Sequence, residues 1–276
     1  NAIQTSSLKI LEKETAELLK KLTVEMKTRT KDAIASLPQF LAFTTLLELP
    51  QMTEGDTGKS ISFQARQYIP LPISEVSLDW LQVGEREDEN GVKKQLVFLI
   101  GVPNDHIKKY KAIFKAAGLT LRALELESLS LGRSLIGDDK SPVALVDIGA
   151  RSSVISVIDK GLMQYSNQTD FAASSLTQAI AGGLNINIRR AETLKKQRGL
   201  LGRGGEYELS TLILPFLDAI IEEIKRAIKN FQDKNPESRV ERVILAGGGS
   251  SLLGIEKYFA DQISLPIIKG NPFLRV

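Results

Sequence analysis

The sequence predicts an α/β protein, and three stretches of strand, glycine turn and helix carry that prediction. Val143, Leu145, Val146 and Ile148 form an apolar strand that ends at an acidic, glycine-bearing turn, Asp147 to Gly149. The chain returns through residues 154–158 and turns again at Asp159-Lys160-Gly161. Val243, Ile244, Leu245 and Ala246 read as a buried strand running into Gly247-Gly248-Gly249-Ser250-Ser251, then into a helix carrying Leu252, Leu253, Ile255, Tyr258 and Phe259. Residues 206–232 form the longest helix, with Leu209, Ile213, Phe216, Leu217, Ile220 and Ile224 spaced as one core stripe; Pro215 marks a kink or a late helix entry.

The remaining elements follow in chain order. Residues 8–28 place Leu8, Leu11, Leu18, Leu19 and Leu22 among Lys and Glu, which predicts an amphipathic helix packed on one side. Residues 33–37 and 40–49 read as strands bracketed by Pro38 and Pro50, and 51–59 as a polar connection. A helix over 58–68 ends at the stiff Ile69-Pro70-Leu71-Pro72. Residues 76–83 and 95–102 are adjacent strands around a polar loop, 84–94; a helix over 106–117 and a strand over 119–125 follow. This alternation predicts a small α+β subdomain at about 50–125, inserted in a first lobe spanning 1–140. The second lobe, 141–276, adds a strand near 163–168, a helix from Ser174 and a helix carrying Ala191-Glu192-Thr193-Leu194-Lys195.

Composition excludes several function classes. A chain of 276 residues with 42% hydrophobic and 25% charged residues can bury one large or two modest cores. A net charge of +3 is too weak a field to argue for nucleic acid, although it does not oppose an acidic membrane surface. The absence of cysteine removes disulfides, thiolate chemistry and cysteine zinc clusters. No apolar run approaches the roughly 18 residues of a membrane span, so membrane attachment is expected to be borrowed from a partner.

The candidate chemistry sits at the turns. Gly149 lets backbone N–H groups approach an anion, Ser152 and Ser153 add hydroxyls, and Asp147 can face a metal through water. Such a turn also occurs in ordinary hairpins. Gly247, Gly248, Gly249 and Ser250 before a helix suit a nucleotide, but their spacing is neither a P-loop nor a dinucleotide fingerprint. Glu192 and Lys195 share a helix face and could grip ribose hydroxyls; taken alone they read as a solvated ion pair. His106 reads as a helix-start residue, the run Glu85, Glu87, Asp88, Glu89 as solvated, and Lys225, Arg226, Lys229, Arg239 and Arg242 as solvated surface. Trp80 reads as core of the insert.

In that order, DIGARSSVISV, AETLKK and VILAGGGSSLLGI resemble the second phosphate loop, connecting helix and adenosine loop of the actin-like ATPase superfamily, which includes FtsA, chaperones and sugar kinases. More narrowly, the chain is similar to the PilM family of type IV pilus assembly. That similarity rests on Ser36-Leu37-Pro38, Leu47-Glu48-Leu49-Pro50, FQARQYIPLPISEVSLDW, AAGLTLRALELESLSLGRSL and LPIIKGNPF, and covers nearly everything from about residue 33 onward. The resemblance implies an actin-like, ribonuclease H-like ATPase fold with the inserted subdomain. It implies ATP and Mg²⁺ at Asp147, Gly149, Ser152, Ser153, Glu192, Lys195 and Gly247 to Ser250, with Asp147 on the metal.

The resemblance further implies a scaffold at the cytoplasmic face of the inner membrane that binds the N-terminal cytoplasmic peptide of a PilN-like protein. That peptide is expected near Leu37, Phe40, Phe43, Leu47, Leu49, Gln67, Tyr68, Ile69 and Leu71. Pilus assembly ATPases and self-association are further expected contacts. The alternatives are a slow actin-like ATPase and an FtsA-like polymer. Two departures bear on chemistry. The DxGxxxxK pattern of the first phosphate hairpin is not in the sequence, so either the chain is a trimmed piece or half of the phosphate clamp is lacking. The family's Gly-Gly after the third strand is replaced by Ala172-Ala173-Ser174. Both point to weak or absent hydrolysis.

Overall fold

The computed structural model describes residues 11–87, 91–201 and 207–273, and the chain divides into two compact units. The first comprises residues 1–43, 53–79 and 99–127; the second comprises 44–52, 80–98 and 128–276.

In the first unit, β1 (Asp32–Leu37) pairs in parallel with β5 (Thr120–Leu126), with an irregularity at Ala33/Ile34. Helix α1 (Glu12–Glu25) packs on α3 (Asn104–Ala116) through Ala16 and Leu19 against Ile113, Ala117 and Leu119. The predicted apolar face of α1 is therefore corrected: Leu11, Leu18 and Leu22 are exposed, because the contact with α3 runs through Ala16 and Leu19 and leaves the adjoining flank of the helix uncovered. Leu8 lies outside the described residues. Helix α2 (Glu54–Gln64) begins within the expected polar connection. Thr53 caps it, accepting from the Asp56 N–H at 3.3 Å and donating to the Asp56 carboxylate at 2.8 Å. Ile61, Ala65 and Ile69 are buried in this unit. Gly101 lies so close to Ile69 that a Cβ there would sit 2.6 Å from its Cδ1.

Strands β2 (Phe43–Pro50), β4 (Lys93–Pro103) and β3 (Val76–Glu87) form a three-stranded sheet in the order β2-β4-β3. A 3₁₀ turn at Gln39–Leu41 precedes β2, so the predicted strand over 40–49 starts late. The predicted loop 84–94 is also shorter than expected. Strand β3 reaches Glu87 and β4 starts at Lys93, because charged residues line an edge strand: Arg86 pairs with Glu48 while Glu85 and Glu87 face solvent. Asp88 and Glu89 lie outside the described residues.

The second unit is built on a five-stranded sheet in the order β10-β9-β6-β7-β8. These are β6 (Val143–Ile148), β7 (Ser153–Asp159), β8 (Leu162–Thr169), β9 (Arg242–Ala246) and β10 (Ile267–Lys269). β6 and β7 form the predicted antiparallel hairpin and β8 continues it; β6, β9 and β10 run parallel. β6 reads VALVDI, buried except at Asp147, as expected of a central strand covered on both faces. Helix α7 (Tyr207–Lys234) buries Leu209, Ile213, Leu217, Ile220, Ile224 and Phe231 in the same core, and runs on through an exposed Pro215. Helices α4 (Glu127–Leu135), α5 (Ala173–Gly183), α6 (Ile188–Arg198) and α8 (Ile255–Ile263) complete the described helices.

Candidate functional site

Parallel pairing decides where the two glycine turns lie. Asp147 stands opposite Ala246 in the β6–β9 register, so both strands release their chains at the same end of the sheet. The β6 turn is closed by the Gly149 N–H donating to the Ser152 carbonyl at 3.1 Å. The β9 turn leaves through Gly247 at φ 75°, a conformation that favours glycine, and enters a 3₁₀ turn at Gly248–Ser251. The turns touch. A Cβ on Gly247 would sit 2.2 Å from Asp147 Oδ1 and 2.6 Å from the Ile148 carbonyl; one on Gly249 would sit 2.2 Å from Ile148 Cγ2. Gly248 is exposed and meets nothing within 4 Å.

The Asp147 carboxyl, half-buried between the turns, is pushed up from its usual range by burial. Among the described residues no group of three or more His, Cys, Asp or Glu could cage a metal. Asp147 stands as a lone carboxylate, a donor set that fits a largely hydrated cation better than a cage made by the protein alone. Exposed glycine peptides beside a single carboxylate suit a hydrated cation with a phosphate-like anion.

Two of the expected hydroxyls are already engaged. Ser153 is buried and donates to the Phe171 carbonyl at 2.7 Å; Ser250 donates to the Gly247 carbonyl at 2.7 Å. Ser152 is half-buried in the turn.

The start of α5 is fastened beneath the β6 turn. The Ala173 and Ser174 N–H groups donate to the Gly149 and Ala150 carbonyls, both at 3.0 Å. One turn on, Lys195 reaches across from α6. Its side chain is buried, and Nζ donates to the Ala173 carbonyl (2.9 Å) and Thr177 Oγ1 (2.8 Å) while pairing with Glu192 Oε2 at 2.7 Å. Thr177 also donates to Glu192 at 2.6 Å. Burial raises the Glu192 carboxyl, but the hydrogen bonds from Lys195 and Thr177 outweigh it and hold the pKa at about 2. Glu192 and Lys195 do share a face, yet Lys195 braces α5 and only Glu192 keeps an exposed side. The solvated-pair reading therefore does not describe Lys195, because its residue is only 8% exposed.

Helix α6 then returns to the second turn. Gly199 follows its last residue so closely that a Cβ would lie 2.5 Å from the Leu253 carbonyl, and the Leu200 N–H donates to that carbonyl at 2.8 Å. The β6 turn, α5, α6 and the β9 turn thus close a ring of contacts within the second unit.

The residues expected to meet a partner segment separate by burial. Leu37, Leu47, Leu49 and Ile69 are buried, their side chains occupied by packing; Phe40, Phe43 and Leu71 are half-buried; Gln67 and Tyr68 are exposed. Sequence reasoning did not single out Phe63, exposed on the side of α2 opposite Thr57, Ile61 and Ala65. The signal was an aromatic two positions off the buried stripe.

Other predicted positions behave as surface or structure. His106 is half-buried at the start of α3, its pKa lowered by burial and by Lys109. Lys225 and Arg226 pair with Glu222 and Glu223, both at 2.9 Å. Arg242 is not plain solvated surface: it pairs with Asp139, whose pKa is lowered to about 2 chiefly by the Ser141 N–H and hydroxyl.

The family described as "Type IV pilus assembly protein PilM" matches residues 2–276. A solved "PilM-PilN type IV pilus biogenesis complex" superposes with a TM-score of 0.80 at 21% identity, covering 95% of this chain and 75% of that one. MreB5 of Spiroplasma citri bound to ADP superposes with a TM-score of 0.56 at 15% identity, covering 95% and 71%. Cell division protein FtsA of Bacillus subtilis is 26% identical over 149 residues, 49% of this chain and 34% of that protein. FtsA of Agrobacterium fabrum is 22% identical over 198 residues, 63% and 45%. The chain thus spans less than half the length of these curated relatives, and the fold is the actin-like ATPase fold.

Proposed function

Because the chain belongs to the PilM family of type IV pilus assembly proteins, we propose that it is a scaffold of the inner-membrane assembly platform, docking the N-terminal cytoplasmic peptide of a PilN-like protein. The match over residues 2–276 carries this reading. Its structural support lies in the first unit, where Gln67 and Tyr68 stay exposed just before Pro70 and Pro72 stiffen the chain, with Phe63 one helical turn earlier. No helix among the described residues is long and apolar enough to cross a membrane, so a place at the inner face would come through the partner.

In this proposal ATP is a regulator. Asp147 would hold Mg²⁺ through water, Gly247 and Gly248 would offer peptide N–H groups to phosphate, and Glu192 would meet the ribose; the Gly149 N–H, expected to do the same, is instead spent on the Ser152 carbonyl within its own turn. Bound Mg²⁺ supplies charge neutralisation for the phosphates. Among the described residues Lys195 is committed to α5, and Lys269 donates to the Ser251 hydroxyl at the β9 turn at 3.0 Å, so neither is placed in the β6 turn, and hydrolysis is expected to be slow or absent. A slow ATPase or FtsA-like polymer is the second reading, favoured by the matches to FtsA.

The test is calorimetric titration of a synthetic peptide from the cytoplasmic start of the PilN-like protein. Saturable binding that falls at least about tenfold in Tyr68→Ala supports the scaffold. Failure to bind the folded protein overturns it.

A further inference from the structure

Helix α6 carries the most one-sided charge of the described helices. It carries five cations against one carboxylate, a surplus larger than the net +3 of all 276 residues. Lys195 points inward, but Arg189, Arg190, Lys196 and Arg198 are exposed. Arg189, Lys196 and Arg190 share the outward arc, with neutral Thr193 and Gln197 between them. The single acid, Glu192, is already held by Lys195, Thr177 and Lys196. Helix α5, which packs on α6, contributes no ionisable residue.

The other lysine-rich helix is partly compensated. Helix α3 bears four lysines and one aspartate; α1, with four glutamates against three lysines, lies against it with a small net negative charge, and Lys108 pairs with Asp105. Helix α5 brings no such acid to α6, and of the exposed α6 cations Arg198 and Lys196 are themselves engaged, which leaves Arg189 and Arg190 as the core of the basic face.

Aliphatic side chains bracket the cations. Ile188 opens the helix 56% exposed, and beyond its end Leu201 and Leu253 are 63% and 42% exposed. These two leucines are neighbours: the Leu200 N–H bonds the Leu253 carbonyl, and Leu201 Cδ2 would lie 3.2 Å from a Cβ on the adjoining Gly254. A convex row of arginine and lysine with aliphatic tips and no aromatic stacking platform fits a lipid headgroup layer better than a nucleic acid.

We propose that the outer face of α6, with Leu201 and Leu253, docks directly on a bilayer containing anionic phospholipid. The cations sit among the phosphates and the leucines reach just beneath them. This contact is independent of the partner-peptide reading, and it adds a second membrane tether to the one a membrane-bound partner would supply.

Vesicle co-sedimentation tests it with phosphatidylcholine alone, phosphatidylcholine mixed with phosphatidylglycerol, and the mixture in high salt. Three proteins are compared, each checked for fold by circular dichroism: the unaltered chain, the triple reversal R189E/R190E/K196E, and the control reversal K108E/K111E/K115E on α3. The unaltered chain and the control are expected to pellet only with the anionic vesicles and to be released by salt. The α6 reversal is expected to bind about a hundredfold more weakly, about fivefold per cation. Leu201→Ser with Leu253→Ser is expected to weaken binding without abolishing it. The proposal is overturned if the folded unaltered chain stays in the supernatant, or if the α3 reversal releases it as fully as the α6 reversal. Binding to poly-glutamate without binding to vesicles would likewise overturn it and assign the face to an acidic protein segment.

Discussion

The two sides of the candidate site are held together in different ways. At the end of the sheet, the β6 and β9 turns meet backbone to backbone, with Gly247 and Gly249 pressed on Asp147 and Ile148 and no room for a Cβ. Across from them, α5 and α6 meet through side chains, a buried ammonium satisfied by a carbonyl, a hydroxyl and a carboxylate. The first junction tolerates no added atom, and the second no lost charge. Substitutions on the two sides should therefore fail for different reasons and by different amounts.

Gly247→Ala should have the largest effect. The added methyl meets the Asp147 carboxylate and the φ of 75° turns unfavourable, so a loss of about 3 kcal/mol is expected in urea unfolding. A loss under about 0.5 kcal/mol would show that the turns separate easily. Lys195→Met comes next, at about 2 kcal/mol, because it leaves the Ala173 carbonyl and the Glu192 carboxylate without their shared donor. If the α5–α6 junction were instead a solvated ion pair, the same change would cost almost nothing.

The same junction has a pH signature. The Glu192 pKa of about 2 lies below its unfolded value, so the unfolded chain binds more protons over that interval. Its stabilisation is complete above the ordinary carboxylate range and fades as pH falls toward 2, and Asp139 adds a parallel loss. Urea midpoints should drop between neutral and acid pH, and less steeply in Glu192→Gln; equal slopes would remove Glu192 from the account. Asp147 behaves oppositely, since burial without a cation raises its pKa. Asp147→Asn should leave stability equal or slightly higher while lowering Mg²⁺-dependent nucleotide binding about tenfold or more.

This contrast also explains what the sequence disclosed. Strand ends with glycines are written in local order, so the β6 and β9 turns were legible from Asp147-Ile148-Gly149 and Gly247-Gly248-Gly249, whereas their opening at the same end of the sheet follows from the parallel pairing of β6 with β9. What the side chains do there was less so. The Ser250 hydroxyl turns back to the Gly247 carbonyl; the Ser153 hydroxyl turns to the Phe171 carbonyl, 18 residues away, and Lys195 turns to Ala173 and Thr177, partners 22 and 18 residues away in the chain. Periodicity cannot see the pairings that span 18 or more residues. Burial misled in the same way in the first unit: Leu37 and Ile69 looked available beside prolines but fill the core, whereas Phe63, off the buried stripe of α2, is exposed.

Gly248 is where the proposed phosphate seat can be tested without disturbing either junction, because a methyl there meets nothing within 4 Å and stability should change by less than about 0.5 kcal/mol. The decisive measurement is calorimetric titration of ATP with Mg²⁺ into the unaltered chain and Gly248→Ala. Saturable heat for the former, with affinity at least about tenfold weaker in an equally stable variant, is the expected result. Identical binding by both, or no heat from the unaltered chain at near-millimolar nucleotide, would contradict a nucleotide site at these turns.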